Sequence, residues 1–275
     1  MTVSDDELAA TLASEAGRRL LALRGEGGDA KALRDAGDRL SHEFLTSELA
    51  RLRPGDAVLS EEGADDPARL SANRVWIVDP LDGTREYGEP GRTDWAVHVA
   101  LWADGELTAG AVALPAQGTV LSTANPPRRH PDGSAGGTDD VPSTASGMPL
   151  RLLVSRSRPP EFVTDLAASL DAVLVPMGSA GAKAAAVIDG QADAYVHSGG
   201  QYEWDSAAPV AVARAAGLHA SRIDGSDLQY NQANPSVPDI LICPIGFAAT
   251  LLGAIARSRT VQPAGLAGPG RTVTQ

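Results

Sequence analysis

The residues best suited to chemistry are concentrated in Trp76-Ile77-Val78-Asp79-Pro80-Leu81-Asp82-Gly83-Thr84. Asp79 and Asp82 can converge with the Leu81 carbonyl between them, and hard oxygen donors of this kind suit Mg²⁺ or Mn²⁺ better than zinc. Beyond them the N–H groups of Gly83 and Thr84 open the next segment and can hold a phosphate oxygen. The competing reading is a β-turn whose carboxylates cap their own backbone. Two carboxylates, a carbonyl and a hydroxyl so close together favour the metal site.

Other candidates are dispersed. Glu61 and Glu62 follow the short apolar stretch 57–60, a strand whose mouth would bring them to the acidic loop; alone they would be a solvated loop. Asp205 stands where Gln201-Tyr202-Glu203-Trp204-Asp205-Ser206-Ala207-Ala208 opens an Ala-rich helix, so it is either an N-cap or a metal ligand held by the rest of the fold. Ser155-Arg156-Ser157-Arg158 ends another strand, and its arginines suit a non-reacting phosphate or are ordinary surface charge. Gly178-Ser179-Ala180-Gly181-Ala182-Lys183 lacks the spacing of a nucleotide-triphosphate loop; its small residues permit close helix packing, with Lys183 on one edge. Asp38 falls in the first turn of a helix expected from about residue 35, where it complements the helix dipole. His98 alternates with Val97 and Val99 as a strand-face residue.

The elements that must position these groups are readable from periodicity. Apolar β-formers run into Asp79, where Pro80 removes a ladder donor, so a buried strand ends there in a rigid loop. Helices are expected over 4–24, where Ser4 and Glu7 form a capping box, and over 35–53, stopped by Pro54-Gly55. Antiparallel strands follow over 94–102, 106–114 and 119–123. Residues 124–149 read as a long surface loop near a domain boundary. The second half alternates strands at 150–155, 172–177, 192–196, 218–221 and 239–243 with helices at 159–170, 182–189, 205–216 and 247–256. Such alternation predicts α/β layering with largely parallel strands. The expected organisation is an α+β metal-binding domain over 1–149, an α/β domain over 150–257 and a flexible tail over 258–275.

Composition bounds the function. The 275 residues are 43% hydrophobic and 21% charged, as in a soluble globular protein. The net charge of −12 argues against a nucleic-acid polymer as partner but not against small phosphorylated substrates, because a divalent cation supplies local positive charge. One cysteine excludes an internal disulfide and a cysteine zinc cluster. No apolar run approaches a membrane span, and the acidic N-terminus lacks signal-peptide character, so a cytoplasmic protein is expected. No Ser-His-Asp order, nucleophile elbow or dinucleotide fingerprint is present.

Ser60-Glu61-Glu62, Asp79-Pro80-Leu81-Asp82-Gly83-Thr84 and Trp204-Asp205-Ser206-Ala207-Ala208, in this order, resemble the three motifs of the inositol monophosphatase superfamily of Mg²⁺-dependent, Li⁺-sensitive phosphatases. The likeness runs from the first helix to about Arg257. Val58-Leu59-Ser60-Glu61-Glu62, Gly178–Lys183 and Gly199–Asp205 look most like its actinobacterial CysQ group, bisphosphate nucleotidases of sulfate assimilation. The resemblance implies a layered α-β-α-β-α sandwich, generally seen as a homodimer. It implies that Glu61, Asp79 and the Leu81 carbonyl hold one metal, that Asp79, Asp82 and Asp205 hold a second, and that Asp38 lies near Thr84 and a weaker third. Glu61 and Thr84 would orient an attacking water, with Asp38 assisting. Gly83, Thr84, Ser155, Arg156, Arg158, Lys183, Glu203 and Asp205 would contact substrate. The implied reaction is removal of the 3′-phosphate of 3′-phosphoadenosine 5′-phosphate. Inositol 1-phosphate and fructose 1,6-bisphosphate are rival substrates, and a catalytically silent metal- or phosphate-binding homologue is the alternative from a different class.

Overall fold

The computed structural model describes residues 3–127 and 149–260. Ser4 caps α1 (Asp5–Gly25) through the reciprocal box its sequence predicts, with Leu8, Leu12, Ala16 and Leu20 on the buried face. α2 (Ala30–Leu52) starts earlier than expected because Asp29 is its N-cap, accepting the Lys31 and Ala32 N–H groups. Asp38 therefore lies inside the helix and not in its first turn, which removes the helix-dipole explanation for it.

The first sheet is ordered β1 (Ala57–Ser60), β2 (Arg74–Asp82), β3 (Ala96–Ala103), β4 (Glu106–Leu114) and β5 (Thr119–Ser122). β1 and β2 are parallel, and the remaining pairs antiparallel. β2 does not end at Asp79. It continues to Asp82, but its ladder with β3 breaks between Asp79, opposite His98, and Asp82, opposite Ala96. Pro80, with no N–H to contribute, sits in that break. The polar stretch after Gly83 opens with a short helix, α3 (Thr84–Gly88).

The second sheet comprises β6 (Leu150–Ser155), β7 (Ala172–Met177), β8 (Ala194–Tyr202), β9 (Leu218–Ser221) and β10 (Ser236–Pro244), in the order β7-β6-β8-β10-β9. Only β6 runs parallel to its neighbours β7 and β8; β10 is antiparallel to β8 and β9, which corrects the expectation of a largely parallel sheet. The physical reason is that β10 returns from β9 through an irregular loop and not through a crossover helix. β8 is longer than expected because Gly199 and Gly200 are accommodated beside a register shift and do not end the strand. α4 (Val163–Leu170) starts only after Pro159-Pro160, and α5 (Ala180–Ile188) starts early because the Ser179 hydroxyl caps it. α6 (Glu203–Ala215) starts two residues before Asp205, and α7 (Ile245–Thr260) runs past its expected end at 256 into the start of the expected tail. Most of the 124–149 loop and residues 261–275 lie outside the described residues.

Alternation along β2 explains the layering. Trp76 and Val78 pack against α1 and α2, while Val75 and Ile77 join a cluster with α5, α6 and the inner face of the second sheet. A third cluster seats α4 and α7 on the outer face of that sheet. The order is thus helices, sheet, helices, sheet, helices, a five-layer α/β sandwich, and its middle apolar layer draws on residues from both sides of 149. Among the described residues no helix is long and apolar enough to cross a membrane.

Candidate active site

A strand end and a helix start meet beside the middle layer. Asp79 and Asp82 come from the broken end of β2, and Asp205 from the first turn of α6. One carboxylate oxygen from each lies within 4.8 Å of the others. Asp79 is 1% exposed. No lysine or arginine pairs directly with these carboxylates among the described residues, and only Asp82 has a charged partner, His98. Burial, then the charges of Glu61, Asp82 and Asp205, holds Asp79 well above the usual carboxylate range. Burial and the Asp82 charge push Asp205 up to about 6. The donor set, hard carboxylate oxygens crowded together, fits Mg²⁺ or Mn²⁺ and would not suit a softer ion.

Glu61 lies outside the tight triad but within hydrogen-bonding reach of Asp79. The residue as a whole is exposed, yet its carboxyl end is desolvated and, with Asp205 nearby, is pushed up to about 7. Asp38 behaves alike: burial and the Glu62 charge push it up to about 7. α2 presses onto the acidic loop next to it, since a Cβ on Gly37 would lie 2.9 Å from the Tyr87 ring and 3.1 Å from Leu81 Cδ2.

The acidic loop contains both features weighed against each other in the sequence. Asp79 Oδ1 accepts the Leu81 N–H at 3.0 Å, so the carboxylate does cap its own turn while its other oxygen stays available. The Thr84 hydroxyl donates to the Leu81 carbonyl at 3.0 Å. Gly83 adopts φ +82°, and a Cβ there would lie 3.1 Å from both the Asp94 carbonyl and Ser179 Cβ, so only glycine turns the chain at this point.

Asp82 differs from its neighbours. Burial opposes its charge, but His98 nearby, with help from Lys183 and Ser179, holds it below the usual range. Its Oδ2 accepts from the Ser179 hydroxyl at 2.5 Å and the Gly181 N–H at 2.8 Å, and His98 Nε2 approaches it at 3.2 Å. His98 Nδ1 faces the Trp204 carbonyl at 3.1 Å. Both ring nitrogens therefore face acceptors, which calls for a proton on each. His98 is on a strand face, as expected, but that face is the inner one, and the histidine bridges the segments that carry Asp82 and Asp205. The sequence held one signal for this: a histidine among small apolar residues on a buried strand needs polar partners.

A cleft of about 390 Å³ opens over Asp82 and Asp205 and is lined by Gly83, Thr84, Ser155, Arg156, Arg158 and Lys183 among others. The two arginines are not equivalent. Arg156 is already bidentate to Glu89, at 2.8 and 2.9 Å, and lies 2.7 Å from Glu86. Arg158 has no carboxylate partner among the described residues. Ser155 Oγ accepts the Arg158 N–H and so shapes the loop between them.

Lys183 and Glu203 are placed differently from their sequence readings: Lys183 lines the cleft from the interior, and Glu203 lies off it. Lys183 is not on an edge: it is buried, and its ammonium donates to the Ser179 and Gly178 carbonyls at 2.7 and 3.1 Å, supporting the loop that holds Asp82. Burial brings it down to about 8. Glu203 does not line the cleft; its carboxylate accepts the Asn231 and Gln232 N–H groups, each at 2.7 Å, because the buried start of α6 must be tied to that loop. Arg69, 1% exposed, completes the tie through Asn231 Oδ1 and the Gln232 carbonyl.

Comparison with known proteins agrees with this architecture. The family model described as the inositol monophosphatase family matches residues 4–258. A Mycobacterium leprae protein named 3′-phosphoadenosine 5′-phosphate phosphatase is 52% identical over 266 residues, covering 92% of this chain and 94% of that protein. An inositol-1-monophosphatase of Mycobacterium bovis is 32% identical over 228 residues, 76% of each. The crystal structure of inositol monophosphatase-II from Staphylococcus aureus superposes with a TM-score of 0.72 at 20% identity, covering 88% of this chain and 90% of that one, which shows the shared fold. With its acidic triad at the meeting of β2 and α6, the chain belongs to the inositol monophosphatase family.

Proposed function

We propose that this protein is a Mg²⁺-dependent phosphomonoesterase that removes the 3′-phosphate of 3′-phosphoadenosine 5′-phosphate. The observation that carries the reading is the clustering of Asp79, Asp82 and Asp205 beneath a cleft whose other wall presents Arg158, without a carboxylate partner among the described residues. The 52% identity to a protein named for that substrate, against 32% to an inositol phosphatase, favours a second phosphate over an inositol ring.

Asp79, Asp82, Asp205, Glu61 and the Leu81 carbonyl would hold the metal, as two ions, with Asp38 beside a third. Bound Mg²⁺ supplies Lewis acidity toward water and the ester phosphate. The chain's own contribution begins with Thr84. Its hydroxyl proton is committed to Leu81, so Thr84 can only accept a hydrogen bond from an attacking water and thereby orients it. Glu61 would help to orient the same water through its carboxylate. The Gly83 and Thr84 N–H groups face charge building on the phosphate oxygens. Arg158 holds the second, non-reacting phosphate. A homodimer and a cytoplasmic setting are part of the same proposal, on the family resemblance.

The test is phosphate release with Mg²⁺ and with EDTA, followed by kcat/KM for the adenosine bisphosphate, inositol 1-phosphate and fructose 1,6-bisphosphate in parallel. The adenosine compound should lead, EDTA should abolish turnover, and Asp79→Asn should remove most activity at saturating Mg²⁺. Near-normal turnover of that variant, or preference for inositol 1-phosphate, would refute the reading.

A further inference from the structure

The cleft wall contains buried polar atoms that no described residue satisfies. His197 and Gln201 both belong to β8 and both line the cleft, yet they are 3% and 6% exposed. His197 Nε2 lies 2.7 Å from the Gly199 carbonyl. A carbonyl only accepts, so Nε2 carries the ring proton and Nδ1 is a bare acceptor. Gln201 directs its amide N–H to the Tyr195 hydroxyl at 2.7 Å, which leaves Oε1 as a second acceptor. Neither Nδ1 nor Oε1 has a hydrogen-bond partner, and such atoms are few among the described residues. Two of them on one strand beside one cleft are best explained by a ligand that completes them.

The strand is shaped for that purpose. Gly199 and Gly200 adopt φ +81° and +68°, and the ladder with β10 shifts register between Val237 and Asp239, the signature of a bulge that re-aims neighbouring side chains. Arg158 occupies the space over Gly200, where a Cβ would lie 2.7 Å from its Nη1. The acceptors therefore sit beside the same cation that has no carboxylate of its own. Burial, with Lys183 and Arg158 nearby, brings His197 down to about 4, so the ring is neutral at working pH and its acceptor persists.

We infer that His197 Nδ1 and Gln201 Oε1 are specificity-determining acceptors that read hydrogen-bond donors on the alcohol side of the phosphate ester, sugar hydroxyl or exocyclic amine. The inference rests on the phosphatase reading above and adds what distinguishes one ester from another. A site built around buried acceptors rejects a ligand without the matching donor, because the acceptor is then left buried and bare.

The experiment compares wild type, His197→Ala, His197→Asn and Gln201→Leu on the 3′,5′-bisphosphates of adenosine, 2′-deoxyadenosine and inosine, as kcat/KM. Wild type should prefer the adenosine compound by roughly 10–100-fold over the analogue whose missing donor is the one read. A loss confined to the deoxy compound identifies the sugar hydroxyl, and a loss confined to inosine identifies the amine. His197→Ala or Gln201→Leu should close that gap, while His197→Asn, which restores an acceptor, should keep part of it. Equal rates for wild type on all three compounds, or variants that lose the same factor on every compound, would overturn the inference. If wild type releases no phosphate from any of them with Mg²⁺, the phosphatase reading has failed. The same ratios, read as dissociation constants by calorimetry, then decide the acceptors by themselves.

Discussion

Replacing His98 with alanine tests the electrostatic logic of the site most directly. His98 is fully buried and bridges Asp82 and the Trp204 carbonyl, so the substitution strips a charge partner from one buried carboxylate and a donor from one buried carbonyl. Removing one member of a buried ion pair costs about 3–5 kcal/mol. Asp82 keeps the Ser179 and Gly181 donors, which places its share near the low end, about 3 kcal/mol. The stranded carbonyl adds about 1 kcal/mol. The expected loss of about 4 kcal/mol is large against a typical stability of about 5–15 kcal/mol. Urea unfolding of metal-free protein at pH 5.5 and at pH 9 measures it. The sign of the pH dependence follows from the two shifts. Asp82 is lowered, so its stabilisation is present above the ordinary carboxylate range and is lost as pH falls through its folded value. His98 is raised above 6.5, so its stabilisation is present below that pH and is lost as pH rises through its folded value. The difference between wild type and variant should therefore be larger at pH 5.5 than at pH 9. Saturating Mg²⁺ should recover part of the loss by supplying the missing positive charge. A loss under about 1 kcal/mol, or one that is the same at both pH values, would refute the pairing.

Two further outcomes follow. Arg158→Ala should raise KM for the adenosine bisphosphate well above the effect of Arg156→Ala, because Arg156 is already neutralised by Glu86 and Glu89; steady-state kinetics showing the reverse order would exchange their roles. Mg²⁺ affinity should climb as pH rises through 6 to 7, since Asp205 and Glu61 must lose protons that their neighbours make them retain. Calorimetry near pH 6.5 in buffers of different ionisation heat should register proton release on binding, and a flat affinity profile would contradict it. By the same sign, these raised carboxyls favour the metal-free fold at low pH, and that contribution disappears as pH rises through 6 to 7.

What the sequence made legible was local. The capping box at Ser4, the strands at Glu106–Leu114, Leu150–Ser155, Ala172–Met177 and Leu218–Ser221, and the oxygen-rich run after Val78 all follow from neighbours in the chain. What escaped was set by distant partners. Ser179 meets Asp82 across 97 residues, and Glu203 meets Asn231 across 28, so neither spacing carries a local signature. Lys183 was misplaced for a related reason: a lysine among small residues suggests an edge, yet the carbonyls of 177–179 satisfy it in the interior. The helix-dipole reading of Asp38 fails because Asp29 caps that helix two turns earlier, a start that a local reading from residue 35 does not reach.

Apart from the Leu81 N–H, the donors that hold the acidic cluster come from outside the three motifs and from both halves of the chain. The β7–α5 turn supplies Ser179 and Gly181 to Asp82, and Lys183 fixes that turn by binding its carbonyls. A Cβ on Gly181 would lie 2.3 Å from His98 Nε2, so the turn can approach Asp82 only because that residue is glycine. On the other side Arg69 and Asn231 hold Glu203, two residues from Asp205. Asp82 belongs to the first sheet and Asp205 to the helix packed between the sheets, so their spacing is set by how tightly these layers dock. Mutual repulsion among the carboxylates opposes that docking, while the buried middle layer and the donor network enforce it. A cation among them reverses the sign of the local term, turning a repulsive junction of the fold into one that binding tightens.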